Sequence, residues 1–168
     1  MGAGLPSWDH EDVTTNRVKV RFELEPDEGW PPVESEGLWA EPLGGGRFRI
    51  DNAPWFVPDL AAADVVEAVA DSDGVLWATR KIAHGGRLAV QVIPFRSGPL
   101  NGDLQAVLDM FVPLGVSGEG AAPTFHLVAL DISPDADLQA IVDRLREGER
   151  DGSWEYSEGC VTSEWLAL

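Results

Sequence analysis

Val18, Val20, Phe22 and Leu24 alternate with Lys19, Arg21, Glu23 and Glu25, a period of two that predicts a strand with one wet face. The stretches GLWAEPL and RFRIDN flank Gly44-Gly45-Gly46 and read as a hairpin whose turn needs positive φ angles. Between these strands, PDEGWPPVESEG is a Pro/Gly/acid loop carrying Trp30. After Ile50 the alternation breaks. Asn52 tolerates the left-handed region, and Pro54 biases Ala53 toward an extended shape and removes a ladder donor. The chain is expected to turn at 52–54 and deliver Trp55 and Phe56 on a corner, with Pro58 stiffening the exit. DVVEAVA and VLWATRKIA surround Asp71-Ser72-Asp73-Gly74, a second hairpin signal. A helix over LAAADVVEAVA competes, because alanine favours helix. The turn-then-strand reading is preferred.

From Arg87 the rhythm changes. RLAVQVIPF is an apolar strand, and NGDLQAVLDMF places Leu104, Val107, Leu108 and Phe111 at helical spacing behind Asn101 as N-cap. LGVSGE is a short extended piece. APTFHLVALDI is an almost continuous apolar run, expected to be a strand covered on both faces. SPDADLQAIVDRLREGERDG predicts a helix with Ser133 as N-cap and Pro134 at its first position. Leu138, Ile141, Val142 and Leu145 would form its buried face, and Gly148 would lie just past its end. GSWEYSEGCVTSEWLAL closes as a strand. The order strand, helix, strand, strand, helix, strand is the ferredoxin-like split pattern.

The expected fold is therefore α+β: a small, curved, barrel-like β half over 17–86, packed on a ferredoxin-like βαββαβ half over 87–168. Residues 1–16 show no periodicity and read as a loose acidic tail. Gly85-Gly86 is the obvious hinge, and the aromatic bend after Asn52 is expected on the seam between the halves. No internal repeat or low-complexity tract interrupts this plan.

Composition narrows the partners. The chain has 168 residues with 44% hydrophobic content and seven Trp, enough to bury a core despite a net charge of -17. Such a balance repels phosphate backbones and anionic lipid surfaces, so nucleic acid and membrane are poor partners, while a basic protein or cationic ligand would be steered toward it. A single cysteine excludes an internal disulfide and a Cys-rich zinc module, and suits a reducing cytoplasm. No apolar run could span a bilayer, and the acidic N-terminus lacks the pattern of a signal peptide, so a soluble cytoplasmic protein is expected.

Several motifs in one order carry a resemblance: VKVRFELE, then GWPPVESEGLWAEPLGGGRFRIDNAPWF, then DVVEAV, with GSWEYSEGC near the end. In this order the chain resembles the bacterial, mostly actinobacterial, domain-of-unknown-function family 4265, over roughly residues 17 to 160. The family has no assigned reaction, so the resemblance implies no catalytic residue. Members often show a Ser-Gly-His type turn after the second hairpin; here the corresponding place reads Ala83-His84-Gly85-Gly86.

Reactive signatures are scarce. Gly44-Gly45-Gly46 lacks the lysine and following helix of a phosphate loop, and no HExxH, CxxC or GxSxG occurs. No catalytic residue, metal or cofactor is expected. Of the three histidines, His10 falls in the tail and His126 inside an apolar strand as a hydrogen-bonded core residue. His84, on a glycine-flanked loop after Arg80 and Lys81, is the candidate at the junction. Trp55 and Phe56 could wall a ligand site, with Asp51, Asn52 and Asp64 as polar contacts, or simply plug the barrel end and cover the seam. Trp39 and Trp77 are expected in the core, Cys160 as an inert buried thiol, and Glu34, Glu36 and Glu41 on a solvated face.

Three classes of function follow. The first is an acidic, non-enzymatic binding protein that neutralises or regulates a basic protein partner, as an immunity protein does. The second is a small-molecule binder or enzyme with a pocket between the halves, drawing on Asp51, Asn52, Trp55, Phe56, Arg80 and His84. The third is an autonomous interaction or assembly domain using an exposed edge strand of the ferredoxin-like half, which a homodimer paired through that edge would favour.

Overall fold

Alternating apolar residues need a second surface to cover them, and the first five strands find it by closing on themselves. The computed structural model describes residues 16–121 and 124–168. In it β1 (Val18–Glu23), β2 (Ser35–Gly44), β3 (Arg47–Ile50), β4 (Val65–Ala70) and β5 (Leu76–Ala83) form a closed barrel. Neighbours run antiparallel except at the closure, where β1 and β5 pair in parallel through Val20–Leu76 and Arg21–Trp77. The inward positions predicted for β1 are buried: Val20, Phe22 and the following Leu24 meet Leu38, Ala40, Phe48, Ile50, Val66 and Ala68 in one cluster. Closure removes the exposed sheet edges that five short strands would otherwise present.

The remaining elements build a four-stranded sheet backed by helices. Its strands are β6 (Leu88–Pro94), β7 (Ser117–Gly120), β8 (Val128–Ile132) and β9 (Trp154–Cys160), in the order β7-β8-β6-β9 and antiparallel throughout. Helices α1 (Leu104–Phe111) and α2 (Leu138–Arg150) follow β6 and β8. Order and connectivity are those of the split βαββαβ unit. The two helices bury Val107, Phe111, Leu138, Ile141, Val142 and Leu145 against Leu88, Val90 and Val92 on one face of β6, with Trp154 fully enclosed. The other face of β6 carries Ala89 and Gln91, and it meets the barrel: Ala89 and Cys160 pack with Ala61 and Ala53. β6 is therefore covered on both faces. Among the described residues no helix is long and apolar enough to cross a membrane.

The structure corrects several local expectations. Asp103, not Asn101, caps α1, accepting from the amides of Gln105 and Ala106; Asn101 lies in the left-handed region, which leaves it in the preceding turn. Asp137 rather than Ser133 caps α2, so Pro134 stands outside the helix. Gly148 lies within α2, where the indole of Trp154 occupies the space that a Cβ would need. β8 is shorter than its apolar run, and His126 falls before it, bonded through Nε2 to the Pro94 carbonyl at 2.8 Å. The final strand stops at Cys160 and a helical turn, α3 (Ser163–Leu166), follows. Trp39 is 46% exposed with Lys19 Nζ 4.6 Å from its ring, and Trp77 is half-buried, donating to Asp71. Neither indole belongs to the core. The proposed tail and His10 lie outside the described residues, apart from Asn16.

Candidate functional site

The corner that interrupts the sequence pattern after Ile50 is held by a buried carboxylate. Glu36, near the start of β2, shares the inward register with Leu38 and Ala40. Its Oε1 accepts from the Trp55 amide at 2.7 Å, and its Oε2 accepts from those of Phe56 and Val57 at 2.8 and 3.0 Å. Three consecutive donors that a strand would have paired in a ladder thus converge on one side chain. Burial pushes the Glu36 carboxyl above its ordinary value and outweighs the downward pull of the three amides. Glu36 is not on a solvated face. The signal that finds it is its register, two residues before Leu38.

With its backbone fixed, the corner divides its side chains. Val57 and Leu60 enter the barrel core, and Phe56 packs against the same cluster from its edge. Phe56 lies between Trp30 and Phe125, edge-on to both at 5.5 and 5.1 Å. Trp55 reaches the second sheet, where its indole N–H points to the Glu119 carbonyl at 3.4 Å. Gln91 donates from β6 to the Pro54 carbonyl, and the Asp59 amide donates to the Gly159 carbonyl of β9. The aromatic bend sits on the seam between the halves.

Between this bend and β9 lies a cavity of about 550 Å³. Trp30, Trp55, Phe56 and Pro58 form its barrel wall, with Gln91, Ile93 and Leu127 beneath and Glu155 to Gly159 opposite. Since Trp154 points into the helix-side core, Glu155 faces the other way, toward the cavity. Tyr156 packs against the helix-side core with Trp154, and burial, followed by Glu149 and Glu158, pushes its phenol up. A second hollow of about 480 Å³ shares Trp30, Phe56 and Pro58 and adds Glu23 and Glu25. The two form a trough of aromatic rings bordered by carboxylates. Among the described residues, neither hollow has an Arg or Lys in its lining.

The other candidates separate. Asp51 and Asn52 line a smaller hollow of about 230 Å³ facing Ser117, Glu119 and Asp131 of β7 and β8. There Asn52 Oδ1 accepts from the Trp39 amide, and Asp51 pairs with Arg17. Arg80 is 69% exposed on the outside of the barrel and pairs with Glu67. His84 lies at the seam but away from the aromatic trough. Its Nδ1 is 2.9 Å from Oδ1 of Asp64, which also accepts from the Gly85 amide at 2.7 Å. Oδ2 accepts from Ala61 at 2.9 Å and pairs with Lys81 at 3.1 Å. Asp64 is completely buried, and a Cβ on Gly85 would collide with the Ala63 carbonyl. Cys160 closes this cluster from β9. Burial raises its thiol, the Lys81 charge opposing, so a thiolate nucleophile is disfavoured.

A barrel joined to a split βαββαβ sheet, with an aromatic corner clamped between them, defines this as a two-part α+β protein. The chain belongs to the family described as Domain of unknown function (DUF4265), whose sequence profile matches residues 36–156. That span holds Glu36, the aromatic corner, Asp64 and His84 but not Cys160. No curated protein matches the chain. A solved structure described as "Novel crystal structure of a hypothetical protein from Neisseria gonorrhoeae" is similar, with a TM-score of 0.66 and 18% identity, over 86% of this chain and 93% of that one. The likeness is one of fold.

Proposed function

We propose that this is an acidic, cytoplasmic binding protein that neutralises or regulates a basic protein partner, engaging it along the trough beside β9. The carrying observation is the lining itself: Trp30, Trp55 and Phe56 with Glu23, Glu25 and Glu155, and no basic side chain among the described residues. Aromatic faces and carboxylates both attract ammonium and guanidinium groups, the first through the ring quadrupole and the second by charge. The overall charge of -17 steers such a partner from a distance. A bacterial, actinobacterial source accords with the chain's abundant Ala, Gly and Val and its scarcity of Lys.

A short peptide of alternating Arg and apolar residues serves as the probe, followed by tryptophan fluorescence. Saturable binding that weakens steeply with salt is expected, and Trp30→Ala or Glu155→Gln should each reduce affinity by about fivefold or more, a loss of ~1 kcal/mol. Affinity unchanged in both variants would mean diffuse charge attraction and would overturn the trough as the site.

A second reading rests on the size of the main cavity, which falls within the range of small-molecule sites and lies between two structural units. It makes the ligand an organic cation such as a quaternary ammonium compound. Binding of tetramethylammonium or choline, with none of the peptide, would select it.

A further inference from the structure

We propose that Asp64, His84 and Cys160 form a binding site for a borderline-soft divalent cation such as Zn²⁺, which ties the barrel to the second sheet. The three come from separate places in the chain: Asp64 just before β4, His84 just after β5, and Cys160 at the end of β9. One carboxylate oxygen, one imidazole nitrogen and the thiol sulfur lie within 4.8 Å of one another. Ligands around a tetrahedral zinc stand about 3.5 Å apart, so closing the site takes a movement of roughly 1 Å. His84 can supply it by side-chain rotation, because its ring is partly exposed.

The donor chemistry selects the ion. Sulfur, nitrogen and oxygen together suit zinc or cobalt, whereas magnesium and calcium favour oxygen alone. The partly exposed face of His84 gives an entering ion a path and leaves room for water in the fourth position. As the sulfur–metal bond forms, the thiol proton passes to solvent.

Lys81 competes for the same carboxylate, with its ammonium 3.1 Å from Asp64 Oδ2. It also has a second anchor, the Asp59 carbonyl at 2.9 Å, with the Asp59 carboxylate at 3.8 Å. A metal that takes Oδ2 therefore leaves Lys81 paired with Asp59 rather than stranded. The large negative charge of the chain raises the local cation concentration and favours the exchange.

Cobalt(II) titration of the full chain tests the site. Cys160 is the only cysteine, so a thiolate-to-cobalt charge-transfer band can come from no other residue. One cobalt per chain should bind with that band and with the strong visible absorption of tetrahedral coordination. His84→Gln should weaken cobalt binding by more than about tenfold, the scale on which even outer-shell partners act. Cys160→Ser should abolish the band and retain the wild-type circular dichroism. Zinc should raise the melting temperature of the wild type and not of Cys160→Ser, a readout independent of colour. Absence of the band at excess cobalt, one cobalt per two chains, or unchanged affinity in His84→Gln would each overturn the site.

Discussion

Two buried carboxylates hold the two ends of the segment from the aromatic corner to β4, and they do so differently. Glu36 receives three backbone amides and no cation. Asp64 receives two backbone amides, the Lys81 ammonium and the His84 ring. Both stand on the inward register of a barrel strand or of its approach, where an apolar side chain would be expected. An inward acid is tolerated when both of its oxygens find donors. At Glu36 the donors are neutral dipoles freed by a turn. At Asp64 part of the compensation is a formal charge. The contrast teaches that the corner is a built feature rather than a gap in the β pattern: the chain leaves the ladder where a carboxylate waits to take its amides.

Removal of each acid in turn tests this contrast. Asp64→Ala should have the larger effect, because it removes the ion-pair partner of a partly buried lysine as well as the acceptor of two amides. A loss of about 4 kcal/mol is expected, as for breaking a buried ion pair from one side. Urea unfolding measures it, and a loss under about 1 kcal/mol would mean that Lys81 simply turns to Asp59 or to water. Glu36→Ala should cost about 3 kcal/mol, since three amides lose their acceptor. Glu36→Gln should fall between this and wild type, one amide oxygen remaining to accept. Equal stability of the Ala and Gln variants would show that shape rather than hydrogen bonding holds the corner.

The smallest effect is a difference in pH dependence. Folded Glu36 keeps its proton to higher pH than it does in the unfolded chain, where the ordinary value is 4.5. Its contribution to stability therefore declines as pH rises through 4.5 and levels off above the raised folded value. Subtracting the stability profile of Glu36→Gln from that of the wild type should isolate this decline. A difference curve that rises with pH in the same window would mean that the three amides, not burial, control the group.

Period-two alternation located β1 and the two hairpins, and helical spacing located the buried face of α2, because each of these signals lies within a few neighbouring residues. The same alternation also held information that residue identity obscured. Trp39 lies between the inward positions Leu38 and Ala40, so the pleat turns its ring outward despite its size. Glu36 and Asp64 lie on inward positions despite their charge. Helix caps were harder to read, because several Asp, Asn and Ser residues stand near each start and the choice depends on where the preceding turn ends.

The amino-acid sequence by itself determined the α+β class, the order of elements, the acidic surface and an aromatic bend beside Asn52. These follow from short-range periodicity, turn chemistry and summed charge. Only the tertiary structure decided that Glu36 caps that bend, that Trp55 and Phe56 share a trough with β9 while Asp51, Arg80 and His84 face elsewhere, and that Cys160 meets Asp64. Each of those contacts joins residues distant in the chain, and the closure of the barrel and its packing on β6 bring them together.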